Sequence, residues 1–222
     1  MIRIHLLVEG QTEEAFVKEL LVPHYASQNI FLEAIIVRTS QGHKGGVVRY
    51  AKIRPQILRL CKQDRHAYVS TLFDLYALPP DFPGKSDDAY KQQKSGAQKA
   101  RFLEQALAED IDQPRFLPNL LVHEFEALLF TDLNAFKLWT NDDTQIDSLI
   151  QNTGGQAPED INDGPDTAPS KRILHVMPAY QKALHGPLVA IDIGLDRIRQ
   201  ACPHFDAWLK RIEQIPARTT LR

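Results

Sequence analysis

Glu9, Asp74, Glu124 and Glu126 each stand at or just after the end of a short hydrophobic run. Glu9 follows Ile2 to Val8, Asp74 follows Ala67 to Phe73, and Glu124 and Glu126 follow Phe116 to Val122. In open α/β sheets, ligands bind beyond the carboxyl ends of the strands. Carboxylate oxygens there suit a hard divalent cation, magnesium or manganese, which often takes one or two carboxylates plus substrate phosphates. Neighbouring strands lie roughly 4.8 Å apart, so acids ending adjacent strands can share an ion. Which strands are adjacent does not follow from residue order. Glu126 lies two residues beyond Glu124 and so points to a different helical face. Glu13 is an outer partner. His123 reads either as a general base or as a structural histidine at a strand end. Three cations could meet phosphate. Lys44 follows His43 in a glycine-rich loop, where a solvated loop is the alternative. Lys171 and Arg172 open a helix behind Pro169-Ser170, and the helix dipole opposes them there.

The first turn, Glu9-Gly10-Gln11-Thr12-Glu13-Glu14, joins a strand to a helix whose apolar face is Phe16, Val17, Leu20 and Leu21. It carries neither the three spaced glycines of a dinucleotide fingerprint nor the Gly-Lys-Ser/Thr of a P-loop. Without a metal, its acids would repel a phosphate. Thr12 as N-cap, with Glu13 and Glu14 at the positive helix end, accounts for those three residues. It leaves Glu9 without a capping role.

Further strands are expected at Phe31 to Arg38, Ala67 to Phe73 and Phe116 to Val122, the last with Pro118 marking an edge position or a later start at Asn119. Helices are expected between them, over about Val47 to Lys62 with a kink or fresh start at Pro55, and from Lys99 with Ala100, Leu103, Leu107 and Ile111 on one face. His123 to Phe130 reads as a short helix. The alternation implies a parallel sheet with right-handed crossovers and flanking helices. After Phe130 the pattern is helical: Leu133 to Trp139 capped by Asp132, Thr144 to Gln151, Pro169 to about Tyr180, a stripe from Leu188 to Cys202 weakened by Gly194, and Phe205 to Ile212. We therefore expect an α/β core over residues 1–130 and a helical C-terminal portion over 131–222 packed on it. His204 and Trp208 read as packing.

The chain has 222 residues, 43% hydrophobic, with formal charge −2. No global basic field announces nucleic acid, though a local patch or bridging metals could serve. Cys61 and Cys202 are far apart and in no ligand spacing, which fits thiols of a reducing cytoplasm. No apolar run reaches membrane-spanning length and no signal peptide is evident. A cytoplasmic protein is expected, and its oligomeric state is not readable.

Val8-Glu9-Gly10-Gln11-Thr12-Glu13 resembles the opening motif of the Toprim (topoisomerase–primase) domain. That fold carries a glutamate after its first strand and Asp-x-Asp after its third, and it supports magnesium-dependent cleavage and transfer at phosphodiesters. Glu9 matches the glutamate and Asp74 the first aspartate, while Tyr76 stands in place of the second. The resemblance then leaves Glu124 or Glu126 to complete a metal site. The chain is also similar to a Toprim-like family catalogued as domain of unknown function 4276. The similarity runs through Phe73 to Tyr76, His123 to Phe130, Pro158 to Asn162 and Pro169 to Arg172. It implies a nuclease working beside an ATPase partner in bacterial defence. A regulatory or effector-binding module of an ATPase complex, with a degenerate site, is the alternative that Tyr76 and the mild acidity favour.

Overall fold

The computed structural model describes residues 1–40, 43–44, 49–140, 142–153, 155–161, 164 and 167–216, the side chains of residues 39, 40, 43 and 44 excepted. β1 (Ile2–Val8) leads into α1 (Gln11–Phe16), a π-helical turn (Val17–Leu21) and α2 (Val22–Ala26). β2 (Ile30–Ile36) follows, then the small antiparallel pair β3 (Arg38–Ser40) and β4 (His43–Lys44). α3 (Tyr50–Gln63) returns the chain to β5 (Tyr68–Asp74). α4 (Asp88–Lys91) and α5 (Gly96–Ile111) precede β6 (Phe116–Leu117) and β7 (Leu120–Leu121).

Among the described residues, these strands form a parallel five-stranded sheet in the order β2-β1-β5-β6, with β7 also on β5. β1 and β5 are its centre. That explains the unbroken apolar run at Leu6, Leu7 and Val8, each fully buried: a central strand meets a hydrophobic layer on both faces. Leu6 and Val8 face one layer, and Leu7 the other, with Val69 and Phe73.

Pro118 acts as the sequence suggests. It splits the last strand in two at the sheet edge, having no N–H for the ladder. The side chain of Thr71 bridges the gap, donating to the Asn119 carbonyl at 2.8 Å and accepting from its N–H at 3.0 Å. Pro55, by contrast, lies inside an uninterrupted α3, so the expected fresh start does not occur. The expected Thr12 cap is also replaced. Gly10 is the N-cap, and Glu13 Oε2 accepts the Gly10 N–H at 2.7 Å.

Beyond β7 come two 3-10 helices, Phe125–Thr131 and Leu133–Trp139, then α6 (Asp143–Thr153), a short 3-10 turn (Pro158–Asp160), α7 (Pro169–Val176), α8 (Lys182–Ile193), α9 (Leu195–Ala201) and α10 (Pro203–Glu213). α7 stops at Val176 rather than near Tyr180, because Pro178 pushes Met177 out of helical dihedrals. The single stripe expected from Leu188 to Cys202 is two helices, broken at Gly194 with φ of 85°. These helices share one apolar cluster with Ile4, Leu6, Val8 and Leu72 of the sheet. Trp208 is part of it, and its indole N–H donates to Ser70 Oγ at 3.0 Å. Among the described residues no helix is long and apolar enough to cross a membrane.

Candidate functional site

Because β1 and β5 are parallel neighbours with Val8 beside Leu72, their carboxyl ends come out together. Glu9 Oε2 lies 3.3 Å from the Asp74 N–H, which donates to it. The next strand end contributes through backbone: Asp74 Oδ1 accepts the Phe125 N–H at 2.9 Å, fixing the start of the first 3-10 helix. The pairing runs on past the strands, with Leu75 N–H to Leu121 O at 3.0 Å and Tyr76 N–H to His123 O at 2.8 Å.

The result is a crowd of acids. Burial pushes Asp74 well above the usual carboxylate range, and Glu9, Glu13, Glu126 and Glu124 push it the same way. Glu13 is raised to about 7, by burial first and then by Glu9. Glu126 is likewise raised to about 7 by burial, with Lys182 opposing and Glu124 assisting. Such a set holds protons or cations at neutral pH.

Part of the counter-charge is supplied from α8. Lys182 Nζ lies 3.3 Å from Glu124 Oε2 and 3.2 Å from Glu126 Oε2. Burial alone would lower the ammonium's pKa, but Glu126, Glu124 and Asp74 outweigh it and raise it. Glu124 also accepts from the Ser170 N–H and, at 3.0 Å, from Ser170 Oγ, so it caps the first turn of α7. Tyr180, buried, reaches Glu126 Oε1 at 3.5 Å. Gly186, one turn along α8 from Lys182, makes this approach possible. A Cβ there would lie 3.0 Å from Phe125 Cε1 and from Tyr180 Oη.

Glu9 and Asp74 bring carboxylate oxygens, the donor type that suits a hard divalent cation, to one edge of the sheet, where the surrounding charge is negative. Among the described residues, no three His, Cys, Asp or Glu side chains are arranged to hold a metal ion by themselves. Glu124 and Glu126 belong to the same cluster but are engaged by Lys182 and Ser170.

The other expected residues lie further out. His123 is buried with φ of 66°; its Nε2 is 3.1 Å from the Glu159 carbonyl, and its ring lies where a Cβ on Gly96 would come within 3.0 Å. Lys171 is exposed, and Arg172 Nε donates to the Thr167 carbonyl at 2.7 Å. Both line a cavity between α6 and α7. The side chain of Lys44 lies outside the described residues. Tyr76 is 49% exposed. Lys182 is the residue that sequence reasoning passes over. Its signal was a cation in the first turn of a helix, where the dipole disfavours it.

Residues 8–213 match the family described as Domain of unknown function (DUF4276). Among solved structures, the chain is similar to the C-terminal region of the Burkholderia pseudomallei OLD protein. The identity is 17% and the TM-score 0.43, over 96% of this chain and 99% of that one. No curated protein matches.

Proposed function

From the premise that the chain belongs to the DUF4276 family, we propose that its acidic sheet edge is the site of a Toprim-like, magnesium- or manganese-dependent nuclease acting on phosphodiesters. The observation that carries this reading is the contact between Glu9 and the end of β5 at Asp74, inside a cluster where burial and mutual repulsion raise Asp74 well above the usual carboxylate range and Glu13 to about 7. Glu9 and Asp74 would hold the cation. When bound, it would neutralise phosphate charge and acidify a water. Lys182 would order Glu124 and Glu126 beside it, its side chain 45% exposed. Lys171 and Arg172 would meet the strand's phosphates. Work alongside an ATPase partner, in bacterial defence, rests on the sequence resemblance to Toprim-like proteins. The test is cleavage of DNA and RNA with magnesium or manganese. Glu9→Gln keeps shape and deletes charge, and should abolish cleavage that chelation also abolishes. Equal activity of the two proteins would refute the role of Glu9.

Two observations favour the second reading, a non-catalytic regulatory or effector-binding module. Lys182 already pairs with two of the acids, and in the Toprim resemblance Tyr76 occupies the place of the second aspartate. That reading expects no metal-dependent cleavage with any partner present, and partner binding indifferent to Glu9→Gln.

A further inference from the structure

Between α6 and α7 lies a cavity of about 570 Å³. Its lining carries the basic side chains Lys171, Arg172 and His175, and none of them is in an ion pair among the described residues. The lining is also aliphatic, through Leu149, Leu174 and Val176, with Asn152 beside them. Lys171, Leu174 and His175 are spaced i, i+3 and i+4, so they share one face of α7. An anion alone would use the cations and leave the aliphatic wall idle, and an apolar ligand would do the reverse. A phosphate ester with a flat, weakly polar body uses both, and the volume is that of a small-ligand site.

We propose that this cavity binds one nucleotide unit, its phosphate on Lys171, Arg172 and His175 and its base against Leu149, Leu174 and Val176. The proposal rests on the nucleic-acid part of the reading above and not on its metal part. It also places the nucleotide beside the acidic edge, because Ser170, the neighbour of Lys171, donates both N–H and hydroxyl to Glu124.

The test uses the whole chain in chelator, so that no metal-dependent step enters. Titration calorimetry would measure binding of thymidine monophosphate and of a single-stranded thymidine oligonucleotide of about eight nucleotides, a length typical of single-strand sites. Lys171 and His175 are exposed, so Lys171→Ala with His175→Ala leaves the core intact. The double variant should bind about tenfold or more weakly, through lost charge-assisted contacts, and its affinity should depend less on salt. Binding of the monophosphate would identify a free nucleotide as sufficient. Binding of the oligonucleotide alone would identify a unit within a strand. Either result supports the proposal if the double variant loses it. Unchanged affinity in that variant, inorganic phosphate displacing the probe as well as the monophosphate does, or no binding of either probe would overturn it. Binding is measured in chelator and without turnover, so a failed cleavage assay and a failed cavity remain distinguishable.

Discussion

Lys182→Met removes the ammonium that spans Glu124 and Glu126 and keeps most of the aliphatic stem. The two carboxylates are 7% and 2% exposed, while the lysine is 45% exposed. Breaking a fully buried pair costs about 3–5 kcal/mol and breaking a surface pair about 0–1 kcal/mol. With one partner half in water, we expect a loss of about 2 kcal/mol above neutral pH. The loss should depend on pH with a definite sign. Glu126 is raised by burial from 4.5 to about 7, Lys182 opposing. Between those values the folded chain holds a proton that the unfolded chain has released, so this group makes wild-type stability fall as pH rises through the window. The fall from this one group is on the order of 3 kcal/mol. Without Lys182 the folded value moves higher, and stability keeps falling above 7. Urea unfolding at about pH 5.5 and about pH 8.5 should therefore show a smaller loss at the lower pH, where only the Glu124 pair is broken, and a larger loss at the higher. Equal losses at the two values would refute the reasoning, because they would show that Lys182 does not act as the counter-charge of Glu126.

Arg199 binds Asp206 Oδ1 at 2.6 Å and Glu213 Oε1 and Oε2 at 2.6 and 3.1 Å, and Tyr25 donates to Glu213 at 3.0 Å. Arg199→Ala should cost about 2 kcal/mol near neutral pH in denaturant unfolding, shrinking in acid because both carboxylates titrate below their ordinary values; a cost that does not shrink would contradict the ion-pair account. Gly186→Ala should lower thermal stability, since crowding against Phe125 and Tyr180 costs about 1–3 kcal/mol against a helix-propensity gain of about 1 kcal/mol. A more stable variant would mean that α8 has room to spare.

The strand ends were legible because each central strand closes on a run that is apolar on both faces, Leu6 to Val8 in β1 and Leu72 to Phe73 in β5, and the carboxylate after the run marks the edge. Glu9 and Asp74 follow from that rule. Their contact does not, since it depends on β1 and β5 being neighbours, and the chain's order leaves that open. Lys182 was not legible, being 58 residues from Glu124 and 56 from Glu126. Only the packing of α8 against the first 3-10 helix, through Gly186, brings them together. Glu13 reads locally as one of two acids at a helix start. The fold makes it the buried partner of the Gly10 N–H, because α1 begins at Gln11 rather than after Thr12. The helices after Phe130 were legible as apolar stripes, but their ends were set by Pro178 and Gly194, whose effect on the backbone outweighs the stripe.

The central claim, that Glu9 and Asp74 together hold a divalent cation, is met most directly by manganese titration followed by electron paramagnetic resonance. Glu9→Gln and Asp74→Asn keep shape, and the asparagine oxygen can still accept the Phe125 N–H. Wild type should take up manganese, and each variant should bind it about tenfold or more weakly, as expected when one of two carboxylate ligands to a hard cation is neutralised. Manganese uptake equal in all three proteins, or absent from wild type, would contradict the account.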